Sequence, residues 1–280
     1  MKKFNQVAII GTGLLGGSIG LAIRKKRLAN EVVGVSRTER SLRLAKKMGA
    51  IDRGAARIPQ AVRGADLVIL ATPISAMHPI ARQVASHVKP GCLVTDVAST
   101  KQQVIRDLEQ VFPSNVFFVG SHPLAGREKT GVTHATADLF RGAPCFVVST
   151  RRSSSKSIQK ISRFWKALGA SVIRIDANRH DEVVSKVSHL PHIAATLLVL
   201  SASRSPWVGS GFLDTTRIAS SDPSMWRDIL LSNRQDVARS LNLLERHAKR
   251  LRHLIEQGDG TKILKTFKQA KRLRDRWAHS

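Results

Sequence analysis

Short apolar runs alternate with amphipathic stretches over roughly the first two-thirds of the chain. Residues 7–10, 31–36, 66–72, 92–97, 116–120, 145–149 and 171–175 predict strands. Several are β-branched and apolar on both faces, as strands covered by helices on both sides must be. Between them, residues 14–26, 39–48, 76–87, 101–111 and 155–168 carry the apolar spacing of helices. Strand–helix alternation predicts an α/β fold, a doubly wound Rossmann-type domain with a mostly parallel sheet, over residues 1–176.

Beyond Ile175 the strand pattern stops. Residues 181–203 predict one long helix, with Pro191 expected to kink it. Asp222-Pro223 is a helix start, with Asp222 as N-cap and Pro223 at the first helical position. Leu241, Leu244, Ala248, Leu251 and Ile255 share a helix face that ends before Gly258 and Gly260, and residues 261–277 predict a basic helix bearing Leu264, Phe267, Leu273 and Trp277. Residues 177–280 therefore read as an all-helical domain, a candidate for dimerisation, to which the resemblance given below adds substrate binding. Its two apolar stripes exceed what packing on a sheet domain needs, which predicts a homodimer.

Composition narrows the class. At 42% hydrophobic and 24% charged residues the 280-residue chain is globular. With 46 Lys and Arg against 20 Asp and Glu its formal charge is +26, which draws anions without choosing among them. The basic residues are spread along the chain without aromatic clusters, so no specific nucleic acid partner is expected. Cys92 and Cys145 sit in apolar stretches and read as buried, reduced thiols. No signal-peptide pattern is visible and no apolar run reaches the ~20 residues of a membrane span, so the expected location is cytoplasmic, with no membrane partner.

The first predicted strand runs into Gly11-Thr12-Gly13-Leu14-Leu15-Gly16. This is G-x-G-x-x-G between a strand and a helix. Gly11 permits the turn, Gly13 the approach of a pyrophosphate, and Gly16 close helix–strand packing, while Leu14 and Leu15 open the helix whose N–H groups face the phosphates. The second strand ends in Ser36-Arg37-Thr38 with no acidic residue before Glu39. Hydroxyls and a guanidinium suit a ribose 2′-phosphate, so NADP is favoured, with NAD as the alternative. Thr72 and Pro73, at the end of a further strand, are expected to meet the cofactor; no metal site is expected.

Two more strand ends carry polar groups: Ala98-Ser99-Thr100-Lys101, and Ser121-His122-Pro123-Leu124-Ala125-Gly126. His122, in a short loop beside a nicotinamide, has the chemistry to take the proton of an alcohol undergoing oxidation.

With these segments the chain resembles the prephenate/arogenate dehydrogenases of tyrosine biosynthesis. The resemblance is carried by the glycine fingerprint, Asp96-Val97-Ala98-Ser99-Thr100-Lys101, Gly120 to Gly131 around Ser121-His122-Pro123, Val187-Ser188-His189-Leu190-Pro191-His192, and Asp214-Thr215-Thr216-Arg217 ahead of Asp222-Pro223 and Trp226. It implies oxidative decarboxylation of prephenate or arogenate, with hydride transfer to NADP. It also implies roles: His122 takes the proton of the ring hydroxyl, and Ser99 holds that hydroxyl or the imidazole. Arg217 binds a substrate carboxylate, His189 and Ser185 line the substrate pocket, and Asp214 steadies Arg217 or caps a turn. Arg127 departs from the small or hydroxyl residue of many relatives. The alternative reading is another Rossmann-plus-helical-domain enzyme, a 3-hydroxyacid dehydrogenase or imine reductase, with Lys186 as its catalytic lysine.

Overall fold

The computed structural model describes residues 3–126, 129–203, 205 and 207–278. Arg127 lies outside them. The chain forms two compact units, Met1–Arg234 and Gln235–Ser280.

The first unit is built on an eight-stranded sheet in the order β3-β2-β1-β4-β5-β6-β7-β8. The strands are β1 (Phe4–Ile10), β2 (Ala29–Val35), β3 (Arg53–Ala55), β4 (Leu67–Leu70), β5 (Leu93–Asp96), β6 (Phe117–Pro123), β7 (Pro144–Val148) and β8 (Ser171–Ile175). All neighbours run parallel except β6 and β7. The helices α1 (Leu14–Lys25), α2 (Glu39–Lys47), α3 (Ile58–Val62), α4 (Ile74–Ala85), α5 (Gln102–Glu109) and α6 (Ser155–Leu168) connect them. Two separate clusters of buried apolar side chains cover the sheet: one holds Ala8, Val68, Val94 and Phe118, the other Val7, Leu67, Leu93 and Trp165. Successive strand residues alternate between the clusters, which is why the strands read as continuous apolar runs.

Two elements escape the hydrophobic pattern. β3 is a three-residue edge strand with only Ala55 buried, and α3 is five residues long. A third difference bears on the site. β6 does not stop at Gly120 but continues through Ser121, His122 and Pro123, because these residues pair antiparallel with β7, His122 opposite Phe146. His122 therefore stands on a strand, not in a loop. Its polar neighbours hid this: Ser121 donates its N–H to Asp96 Oδ1 at 3.0 Å, and its hydroxyl lies 2.7 Å from that of Thr95.

After β8, α7 (Ala177–Val184), a π turn (Ser185–His189) and α8 (Leu190–Ser201) form one continuous helix. It passes Pro191 through the π turn, where the Leu190 N–H bonds to Ser185 O, five residues back. This 25-residue helix is long and apolar enough by length and composition to cross a membrane, which no single apolar run in the sequence is. Its first half is pinned to the sheet by polar bonds, described below. α9 (Ser210–Thr216) and α10 (Pro223–Ser232) follow, the latter capped by Asp222, whose carboxylate accepts the Met225 N–H at 2.7 Å. The compact units part after Arg234, because α7 packs on α5 and β7, and α10 on α4. The second unit holds nearly all of α11 (Arg234–Glu256) and the whole of α12 (Gly260–Ala278).

Candidate active site

The glycine turn sits where the sheet's strand order reverses, between β1 and β4. Ligands of doubly wound sheets collect at such a point, outside the carboxyl ends of the strands. Gly11 has φ +101°, and a Cβ there would lie 2.2 Å from the Ala71 carbonyl oxygen; at Gly16 it would lie 1.9 Å from the Gly11 oxygen. Neither can be replaced without moving backbone. Gly13 is different: nothing stands within 4 Å of a Cβ there, and no side chain caps α1 at that residue. The first N–H groups of α1, from Leu14 onward, lie at the positive end of the helix dipole beside this open position. Thr12 Oγ1 and Thr72 Oγ1 are buried without a hydrogen-bond partner among the described residues. Buried hydroxyls are rarely left so. Open cradle, bare helix terminus and two orphan hydroxyls fit a dinucleotide.

The other expected cofactor residues are placed as follows. Ser36 follows β2 half-buried, and Arg37 is exposed, in no ion pair among the described residues. Thr38 caps α2: its hydroxyl accepts the Ser41 N–H at 3.2 Å. Pro73 sits at the N-cap of α4.

Further along the same sheet edge, His122 is 6% exposed. Its Nδ1 lies 2.9 Å from Nε2 of His180, and His180 Nδ1 lies 2.7 Å from Asp181 Oδ1. The carboxylate can only accept, so His180 carries its proton on Nδ1 and its Nε2 is a lone pair. His122 must then donate from Nδ1, which leaves His122 Nε2 as an unprotonated acceptor. Asp181 is itself fixed. Its two oxygens accept the N–H groups of Lys101 (2.8 Å) and Gln102 (2.9 Å), so a residue of α7 caps α5. Burial holds His122 well below the usual histidine value, and His180, Lys101 and His189 push the same way. Burial also lowers His180, against the pull of Asp181.

Beneath this chain lies a buried ion pair. Lys101 Nζ donates to Asp96 Oδ2 at 2.6 Å and to the Ala98 and Thr100 carbonyls, with neither side chain exposed. Asp96 Oδ2 also accepts the Ala98 N–H at 2.8 Å. The pair ties the turn holding Ser99 to β5. Ser99 is half-buried and, among the described residues, makes no hydrogen bond to His122, whose Nδ1 His180 occupies. Thr100 Oγ1, next to it, lies 2.9 Å from Ser232 Oγ on α10.

The π turn buries both Ser185 and His189. Ser185 donates to the Glu182 carbonyl at 2.7 Å, and His189 Nε2 has no partner among the described residues. His192 stacks on Trp226, with ring centroids 3.5 Å apart. Arg217 stands exposed just after α9. Asp214 is exposed within α9, and among the described residues no ion pair joins it to Arg217. Lys186 faces outward and pairs with Glu182 at 2.7 Å, which removes it from the place the alternative reading needs. His180, Asp181, Lys101 and Asn233 were not singled out for a role by the sequence. The adjacent His180-Asp181 pair was the one local signal.

Residues 19–174 match the family described as prephenate dehydrogenase, nucleotide-binding domain, and residues 176–269 the one described as prephenate dehydrogenase, dimerization domain. The chain is 35% identical over 278 residues to the prephenate dehydrogenase of Bacillus subtilis (strain 168), covering 96% of this chain and 75% of that one. It is 33% identical over 286 residues to the cyclohexadienyl dehydrogenase of Zymomonas mobilis, covering 98% and 96%. The crystal structure of the A. aeolicus prephenate dehydrogenase in complex with hydroxyphenyl propionate and NAD+ matches with a TM-score of 0.92 at 31% identity, over 98% of this chain and 99% of that one. The chain belongs to the prephenate dehydrogenase family of oxidoreductases.

Proposed function

We propose that this protein oxidises and decarboxylates prephenate or arogenate in the cytoplasm, as a homodimer, with His122 as the base. The observation that carries the reading is the chain Asp181–His180–His122, which presents His122 Nε2 as a lone pair. The ring hydroxyl donates to Nε2 and passes its proton there as hydride leaves C4. The ring carboxylate departs as carbon dioxide, its electron pair entering the ring, which becomes aromatic. The proton returns to the C4 oxygen, giving a phenol. Ser99, whose bond to the imidazole is absent, is left to hold the hydroxyl. Arg217, His189 and Ser185 serve the substrate, with Asp214 beside them.

A nicotinamide dinucleotide, when bound, supplies the hydride acceptor. Gly11, Gly13, Leu14, Leu15, Gly16, Thr72 and Pro73 hold its diphosphate side. Ser36 and Arg37 favour NADP, since a free guanidinium matches a phosphate bidentately; the NAD+ in the A. aeolicus structure makes NAD the second reading. Assay of both substrates with both dinucleotides tests this. Nicotinamide reduction with either substrate supports it, and faster turnover with NADP supports the preference. No reduction with any of the four pairs refutes the function. Arg37→Ala should weaken NADP binding about 10–100-fold and leave NAD nearly unchanged.

A further inference from the structure

His189 sits in the π turn with both ring nitrogens buried. Nδ1 lies 3.4 Å from Nδ2 of Asn233, a residue 4% exposed at the C-terminus of α10. Nε2 has no partner among the described residues. The Asn233 amide cannot be turned round: the same Nδ2 lies 2.9 Å from the Asp181 carbonyl oxygen, which only accepts. One of its hydrogens therefore goes to Asp181, and the other faces His189 Nδ1. An N–H facing Nδ1 requires a lone pair there, so the proton of neutral His189 is on Nε2. Burial keeps the ring neutral, pushing its pKa down to about 4. The outcome is a buried N–H donor without an acceptor, a costly arrangement that proteins retain where a ligand completes it.

The polarity is the reverse of that at His122. Both rings are tied to Asp181, His122 through His180 and its carboxylate, His189 through Asn233 and its carbonyl. One ring ends in an acceptor and the other in a donor.

We propose that Asn233 is a positioning residue that locks His189 in the Nε2–H form, and that this donor takes a carboxylate or carbonyl oxygen of the substrate. The second half rests on the dehydrogenase reading above. The first does not, because the tautomer exists in the free protein. A neutral donor has a use here that a cation lacks: it orients an anionic substrate without holding on to the charge that decarboxylation must release.

The test is two-bond 1H–15N correlation spectroscopy of the full-length protein labelled with 15N-histidine, His189 being assigned by its loss in His189→Gln. The ligand-free protein should show His189 as the Nε2–H tautomer at neutral pH. An Nδ1–H tautomer overturns the proposal. Asn233→Asp removes the donor and should move the proton to Nδ1, raise KM for the substrate about tenfold, and change kcat less. Asn233→Ser, which keeps a short donor, should restore part of the loss. A folded Asn233→Asp protein with unchanged tautomer and KM also overturns it. Titration with 3-(4-hydroxyphenyl)propionate should shift the His189 Nε2 resonance. Binding without that shift, or no binding, overturns the ligand half. Absence of dehydrogenase activity together with the Nε2–H tautomer would sink the function while leaving the role of Asn233 standing.

Discussion

In the proposed function Arg217, exposed just past α9, holds a substrate carboxylate, and its use there would follow from its shape more than from its charge. A guanidinium offers two parallel N–H donors to a carboxylate, whereas a lysine ammonium is a point charge. Arg217→Lys should therefore raise the substrate KM about tenfold or more while leaving dinucleotide binding intact. Unchanged saturation would remove Arg217 from the substrate site. Residues of this kind are proposed from the sequence because their chemistry is local: the glycines of the β1–α1 turn and Ser99 follow apolar strands, and His122 extends one. His180, Asp181 and Asn233 were not. They act on partners 58, 80 and 52 positions away, and no spacing rule connects such pairs.

Among the elements, the turn between β5 and α5 depends most on a single contact. Lys101 and Asp96 are fully buried and satisfy each other, and Asp96 also accepts the N–H groups of Ala98 and Ser121. Removing one charge strands the other. Lys101→Met should cost about 3–5 kcal/mol of stability, against under about 1 kcal/mol for most exposed pairs in this chain. Urea unfolding measures it, and a loss below about 1 kcal/mol would mean the pair does not hold the turn. The strands and major helices were readable because their apolar period is strong. β3 and α3 were not, having too few buried side chains to make a pattern. The end of β6 was misread because Ser121 satisfies its polar groups within the sheet and the His122 ring bonds to His180 on α7, instead of meeting water.

For the whole molecule, four buried histidines set the response to acid. Burial lowers the pKa of His122, His180, His189 and His192 in the folded chain. The unfolded chain therefore takes up these protons first as pH falls below about 6.5, and stability is lost on the acid side. The melting temperature should drop between pH 7.5 and 5. A flat profile would mean that these rings are solvated. The exposed apolar residues Leu197, Leu198, Val199 and Leu200 on α8 fit the description of this region as a dimerization domain. Sedimentation at micromolar concentration should show a dimer, and a monomer would contradict that reading. The sheet architecture was legible in the strand–helix alternation. The packing of α7 back on the sheet was not, since it depends on contacts between residues far apart in the chain.

The account turns on His122 as the proton acceptor, and single-turnover nicotinamide reduction by His122→Asn tests it most directly. Asparagine keeps a hydrogen bond to the ring hydroxyl and cannot take its proton. The rate should fall ~10²–10⁴-fold with dinucleotide binding unchanged, while the wild-type rate should lose its protonated limb only well below pH 6.5, where burial has moved the ring. A variant that reduces the nicotinamide at near the wild-type rate, with the acid limb intact, would contradict the account.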